Sequence, residues 1–159
     1  MSDEGYFDAL AQMTGDKLEW ECLLLKFESG PPVAPGTRIP DEYVPGDPLG
    51  PVESVRAAIT EILPGVEWRY PDRGYLSVGR LEFTFNVHLD STCDNVMLLV
   101  AGDGDPFSTI VMLCRVQSWT PIDLTTWQVL DLDSPSREGW NHVKKAVERN
   151  RGKKFSGWR

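Results

Sequence analysis

The chain has 159 residues, of which 41% are hydrophobic and 25% are charged, and this composition is typical of one globular domain with a substantial core. No apolar run approaches the ~20 residues that span a bilayer, and the acidic start MSDEGYFDAL lacks the basic region of a secretory signal. We therefore expect a single cytoplasmic domain over residues 1–159. Its three cysteines form no CxxC pair, so buried thiols are expected.

The net charge of −8 is divided unequally along the chain. Residues 137–159 contain eight basic and two acidic residues, a balance of +6, so residues 1–136 carry −14. An acidic body repels nucleic acid and attracts basic partners. The basic segment could contact the acidic face of the same chain, an acidic partner or a phosphate backbone, or it could simply solvate a terminal helix.

The first half of the chain predicts a strand, a long loop and a helix. Alternating apolar residues predict a strand within residues 16–28, after a short helix within residues 1–15. Residues 30–50 contain six prolines and four glycines, which exclude a regular helix and predict an ordered surface loop of a length that is often functional. An apolar stripe at helical spacing then predicts a helix over residues 51–63.

The second half alternates short strands with two helices. The predicted strands are residues 66–70, 75–78, 81–89, 96–101 and 125–132. The run Val96–Ala101 is continuously apolar, as in a strand covered on both faces. The helices are predicted over residues 106–118, with Asp105 as N-cap, and after Ser134-Pro135, followed by a flexible basic tail over residues 151–159.

The side-chain pattern refines these two helices. Val111, Met112, Val116 and Trp119 are expected to widen the apolar side of the first, and Lys144 is expected to face water on the second. Hairpin-type links between neighbouring strands favour an α+β domain. We expect an antiparallel or mixed sheet of five to six strands with two to three helices packed on it.

The turns at residues 90–95 and 102–106 hold the aspartates that a metal site would need. Calcium prefers several oxygen ligands at short spacing, but the EF-hand pattern is missing and Asp105 fits a helix cap. The motif GDGDP lacks the spacing and the lysine of a phosphate-binding loop, and its aspartates would repel phosphate. We expect no metal and no cofactor.

Two constellations leave an enzyme as the alternative. His88 and Cys93 could pair as base and nucleophile, although no motif supplies an orienting third group. Glu67 and Glu82 could face one cleft from adjacent strands as acid and base. A small hydrolase or ligand-binding enzyme would use a cleft beside the Pro-rich loop.

From residue 30 to residue 133 the chain resembles a widespread family of small uncharacterised bacterial proteins. The resemblance is carried, in order, by GPPVAPGTRIP, PGDPLG, VRAAITEILPGVEW, LEFTFN, VMLLVAGDGDP, LCRVQSW and TTWQVLDL. It implies no established activity. Small acidic proteins of this type, without cofactors, resemble the immunity proteins of bacterial toxin systems.

An acidic surface with accessible aromatic residues favours binding to a basic protein. The first hypothesis is therefore a non-enzymatic, immunity-type inhibitor whose acidic face blocks a toxin or effector, for example a nuclease. A phage-encoded nucleic-acid mimic that inhibits a host defence complex shares this physics and differs in its target. Neither membrane nor direct nucleic-acid binding is expected. The predicted partner-binding residues are Asp41, Glu42, Tyr43, Asp90, Asp94, Asp103, Asp105 and Trp127.

Overall fold

The computed structural model describes residues 18–40, 46–88 and 92–156, with the backbone alone for residues 151–156. This part of the chain has the predicted α+β fold, with three helices and with seven strands instead of the five to six expected. In chain order they are β1 (Trp20–Leu25), α1 (Val52–Ile62), β2 (Glu67–Tyr70), β3 (Arg73–Val78), β4 (Arg80–Val87), β5 (Val96–Asp103), α2 (Phe107–Gln117), β6 (Thr120–Asp123), β7 (Gln128–Val129) and α3 (Glu138–Ser156). The helix predicted within residues 1–15 lies outside the described residues.

All seven strands belong to one antiparallel sheet in the order β2-β3-β4-β5-β1-β6-β7. Strands β2 to β5 form a meander in which each strand pairs with the next along the chain. β1 lies between β5 and β6, both of which follow it by many residues. Its sequence WECLLL carries large apolar side chains on both faces, as a central strand requires.

The three helices cover one face of the sheet, and the main core lies between them. The predicted alternation in β4 is confirmed, since Leu81, Phe83, Phe85 and Val87 are all buried there. In β5 only alternate residues are buried, and Met97, Leu99 and Ala101 are partly exposed. Cover on both faces of this strand was therefore a wrong prediction: among residues 18–40, 46–88 and 92–156, no helix packs on its second side.

A second, smaller core lies on the opposite face, which we call the outer face. It contains Leu23, Leu25, Ile39, Ile122 and Val129, so it covers β1, β6 and β7. The described part of the Pro-rich loop closes over it. Backbone bonds between this loop and β7 and its turn hold it in place: Gly36 N to Val129 O (2.7 Å), Val129 N to Thr37 O (3.0 Å) and Ile39 N to Trp127 O (2.8 Å).

The strand predicted over residues 125–132 is wrong in its extent. Only Gln128–Val129 pairs as β7, and a turn precedes it. The missed strand is β6, which contains Pro121, a residue without an N–H to donate to a neighbouring strand. The turn arises because the Asp123 carboxylate accepts backbone bonds from Thr125 (2.8 Å) and Thr126 (3.4 Å).

The helix ends follow local capping. The structure places Pro106 at the N-cap of α2, one residue after the predicted Asp105, although Asp105 Oδ1 still accepts the N–H of Phe107 at 2.9 Å. Of the residues predicted to widen the apolar side of α2, Trp119 is buried and Val111 half-buried, whereas Met112 and Val116 are 46% and 59% exposed, so the prediction is wrong for these last two. α3 begins at Glu138, whose N–H donates to Ser136 Oγ, and it continues to Ser156, into the segment predicted as a flexible tail.

None of the helices in the described ranges is long and apolar enough to cross a membrane.

The buried carboxylate of Asp123 joins three parts of this fold. It accepts the indole N–H of Trp20 in β1 at 3.1 Å and fixes the β6–β7 turn. Its second oxygen lies against Gly139 in the first turn of α3, where a Cβ would overlap it. Burial raises the pKa of the Asp123 carboxyl, while the hydrogen bonds that it accepts oppose the rise.

Gly139→Ala should destabilise the protein by about 2 kcal/mol, because the added methyl group meets a carboxylate that cannot move away. Alanine otherwise favours a helix by up to about 1 kcal/mol over glycine. In an Asp123→Ala background the overlap disappears, and Gly139→Ala should then be neutral or stabilising. Urea unfolding of the four proteins in this double-mutant cycle measures the coupling. Equal costs in both backgrounds would contradict the contact.

Candidate binding surface

The predicted partner-binding residues do not form one surface. Asp94 precedes β5 and Asp103 ends it, so about 30 Å of strand separates them. Asp105 follows in the turn to α2. Asp41, Glu42, Tyr43 and Asp90 lie outside the described residues.

Asp103 and Asp105 are paired within the chain. Lys144 Nζ lies 2.6 Å from Asp103 Oδ1 and donates to the carbonyl of Gly102 at 2.5 Å. Arg137 Nη2 lies 3.2 Å from Asp105 Oδ2. Lys144, predicted to face water, thus fastens α3 to the β5–α2 turn. The first part of the basic segment contacts an acidic turn of its own chain. This contact reduces the negative charge with which these aspartates could attract a partner.

Trp127 is 38% exposed and has a left-handed backbone with φ of +59°. This conformation costs a residue with a side chain roughly 1–2 kcal/mol relative to glycine. Both backbone groups of Trp127 are bonded, the N–H to Asp123 O at 2.7 Å and the carbonyl to Ile39 N at 2.8 Å. The surrounding turn therefore imposes the conformation on an exposed aromatic residue.

The catalytic pairs considered from sequence have other contacts. The Cys93 thiol is buried and donates to the backbone carbonyl of His88 at 3.3 Å, whereas the exposed imidazole lies 3.2 Å from Asn95 Oδ1. Glu67 pairs with Arg69 at 3.3 Å. The cleft of about 480 Å³ beside the Pro-rich loop is not lined by a histidine, whereas a smaller one of about 290 Å³ beside Arg38 is lined by Glu138 and His142. Neither His88 with Cys93 nor Glu67 with Glu82 lines either of these two clefts.

The outer face of β2 to β5 is not covered by the smaller core, and we call it, with Glu19 and Glu21, the open face. Residues opposite each other in neighbouring strands point to the same side. The register therefore places one row across five strands: Glu67, Tyr75, Thr84, Leu99 and Glu21. A second row contains Ser77, Glu82 and Ala101. Apart from Leu99 and Ala101, these rows present polar and aromatic groups in place of the apolar residues found under the loop.

A shallow groove of about 440 Å³ crosses this open face. The small side chain of Ala101 lies directly opposite Glu82, and Glu19 also lines the groove. At the other end the Arg69 guanidinium stacks on the Tyr75 ring, 4.7 Å from its centroid. The groove is therefore acidic toward β1 and has an aromatic–cation pair toward β2.

Glu21 is the feature that sequence reasoning missed. It lies in the central strand between Trp20 and Cys22, and burial raises the pKa of its carboxyl above the usual 4.5. The available signal was a single charge in the otherwise apolar run WECLLL. A partly buried carboxylate on a sheet face that the described part of the chain leaves uncovered is a candidate functional group.

Comparison of the chain with protein-family models, with curated proteins and with solved structures gives no match. Within the described ranges, no three His, Cys, Asp or Glu residues are placed to hold a metal ion. Function is therefore inferred from the geometry of the open face.

Trp127→Gly should be about 1 kcal/mol more stable than Trp127→Ala, the reverse of the usual order, because only glycine adopts the left-handed conformation without strain. Both variants lose the same indole ring, so the ring cancels from the comparison. Chemical unfolding of the two proteins gives the difference. An alanine variant as stable as the glycine variant would show that the turn does not impose φ of +59°.

Glu21→Gln should make the protein more stable at pH 7. The raised pKa means that the folded state binds the carboxyl proton more tightly than the unfolded state does. The protonated Glu21 carboxyl therefore contributes its full stabilisation of the fold below pH 4.5, and this stabilisation is lost as pH rises through the folded-state pKa. Glutamine avoids that loss, and the advantage should disappear in acid. Thermal unfolding between pH 4 and pH 8 measures it, with the exposed Glu82→Gln as the control. A stability gain that does not depend on pH would refute the assignment.

Proposed function

We propose that this protein is a non-enzymatic, immunity-type inhibitor that binds a basic protein through the open face. The observation that carries the proposal is the position of Glu21, a partly buried carboxylate in the central strand that the register places in the row of the open face, and burial raises the pKa of its carboxyl. An apolar or neutral residue would serve the fold better at this position. Binding to a cationic surface gives the charge a use, and stability is commonly lost at functional positions.

The incomplete cover of the sheet supports the same interpretation. The Pro-rich loop packs over β1, β6 and β7, and the small outer core extends only to Met97 in β5. Beyond it, the open face spans five neighbouring strands from Glu21 to Glu67. At ~4.8 Å per strand this is about 19 Å across, a width that suits a protein interface of ordinary size.

The charge distribution indicates the kind of partner. Glu19 directly precedes β1, Glu21 lies in β1 and Glu82 lies in β4. These carboxylates therefore lie on either side of Leu99 and Ala101 in β5. A basic side chain placed over Ala101 would approach carboxylates from both sides. Carboxylates that steer a cationic partner raise the association rate and favour the correct partner. Toxins that act on nucleic acids have such basic active sites, because their substrates are polyanions.

The proposal is tested with a triple variant, Glu19→Gln, Glu21→Gln and Glu82→Gln. The matched control, Glu53→Gln, Glu61→Gln and Asp94→Asn, removes the same charge from exposed positions away from the open face. Wild-type protein on a column should capture a basic protein from extract of the native host at low salt. We expect the open-face variant to bind that protein at least about tenfold more weakly, and the control to bind like wild type.

Co-expression gives the functional readout. The wild type and the control variant should protect cells from the captured protein, whereas the open-face variant should not. Equal protection by both triple variants, or capture of no basic protein, would refute the proposal.

A further inference from the structure

A cleft lies at the other end of the molecule from the Gly102–Asp105 turn. Its volume is about 480 Å³, within the range of small-molecule sites. Its walls come from four parts of the chain: the Pro-rich loop, the end of α2, β6, and β7 with the segment that follows it. Phe27 and Trp119 supply aromatic surfaces, and Pro31 and Pro35 supply rigid apolar ones.

Hydrogen bonds fix these walls in place. Arg115 Nη2 donates to Leu132 O at 3.2 Å and contacts Asp133 Oδ1 at 2.5 Å, which fastens the segment after β7 to α2. Trp119 N bonds Cys114 O at 2.9 Å at the left-handed end of α2. A cleft whose walls are already ordered loses little entropy when a ligand enters.

The charge at this cleft is negative. Arg115 neutralises the charge of the Asp133 carboxylate. Among the hydrogen bonds of the described residues, the Asp131 carboxylate accepts only the backbone N–H of Asp133, at 3.0 Å. The last carbonyl groups of α2 add the negative end of its dipole beside Ser118. Aromatic faces also attract cations. The cleft therefore combines flat apolar walls with a site for positive charge.

We propose that this cleft binds a small organic cation with a flat apolar body. The apolar body would pack between the loop prolines and Trp119, and the cationic group would lie near Asp131 and the end of α2. The site is separate from the open face and does not depend on the immunity-type function.

Three indole probes of similar size separate shape from charge: tryptamine is cationic, 3-methylindole is neutral and indole-3-acetate is anionic. Binding is followed by NMR through the Trp119 indole N–H and the backbone amides of Ser118 and Leu132. We expect tryptamine to bind most tightly and to shift these signals, with 3-methylindole weaker and indole-3-acetate weakest.

Two variants complete the test. Asp131→Asn keeps the oxygen that accepts the Asp133 N–H, so the turn should persist while tryptamine affinity falls about tenfold and 3-methylindole affinity is unchanged. Thr120→Tyr should fill the cleft and weaken all three probes. Glu21→Gln, on the open face, should leave tryptamine affinity unchanged.

Equal affinity for tryptamine and 3-methylindole would overturn the proposal, as would shifts that map elsewhere or no binding at millimolar concentration. If Thr120→Tyr does not fold, the comparison of Asp131→Asn with wild type decides alone.

Discussion

The relative positions of β1, the β6–β7 turn and α3 depend on one group, the carboxylate of Asp123. It is almost fully buried, yet it accepts hydrogen bonds from β1 and from the β6–β7 turn, and it touches the first turn of α3. A buried charge is stable only when such bonds replace its water. The central strand, the last hairpin and the basic helix therefore take positions that this group requires. One of those positions is the left-handed conformation of Trp127.

The outer face of the sheet shows how the same scaffold leaves a surface for another molecule. The Pro-rich loop is long enough to cover three strands and bury their apolar residues. The remaining strands present carboxylates, hydroxyls and Tyr75 instead, with Glu21 at the boundary. Acidic groups elsewhere, at Asp103 and Asp105, are matched by α3. Glu21 and Glu82 of the open face are therefore better placed than these turns to attract a basic partner.

Local patterns predicted much of the fold, and contacts distant in sequence account for what they missed. Alternation identified β4 and β1, an apolar stripe identified α1, and Asp105 identified the start of α2. The turn before β7 depends on the Asp123 side chain, and the pairing of Lys144 with Asp103 joins residues 41 positions apart. The outward direction of Glu21 followed from alternation. Its place on an uncovered face did not, because it depends on where the loop stops.

The position of β1 between two later strands has a consequence for how the chain folds. The hydrogen bond from Trp20 to Asp123 closes a loop of 103 positions, whereas β2 to β5 pair with their immediate neighbours. Pairing of strands that are distant in sequence costs a large loop-closure entropy before their contacts can stabilise the structure. We expect the meander to assemble first, with the N-terminal strand inserted late. During synthesis on the ribosome, WECLLL would leave the exit tunnel long before its partners exist.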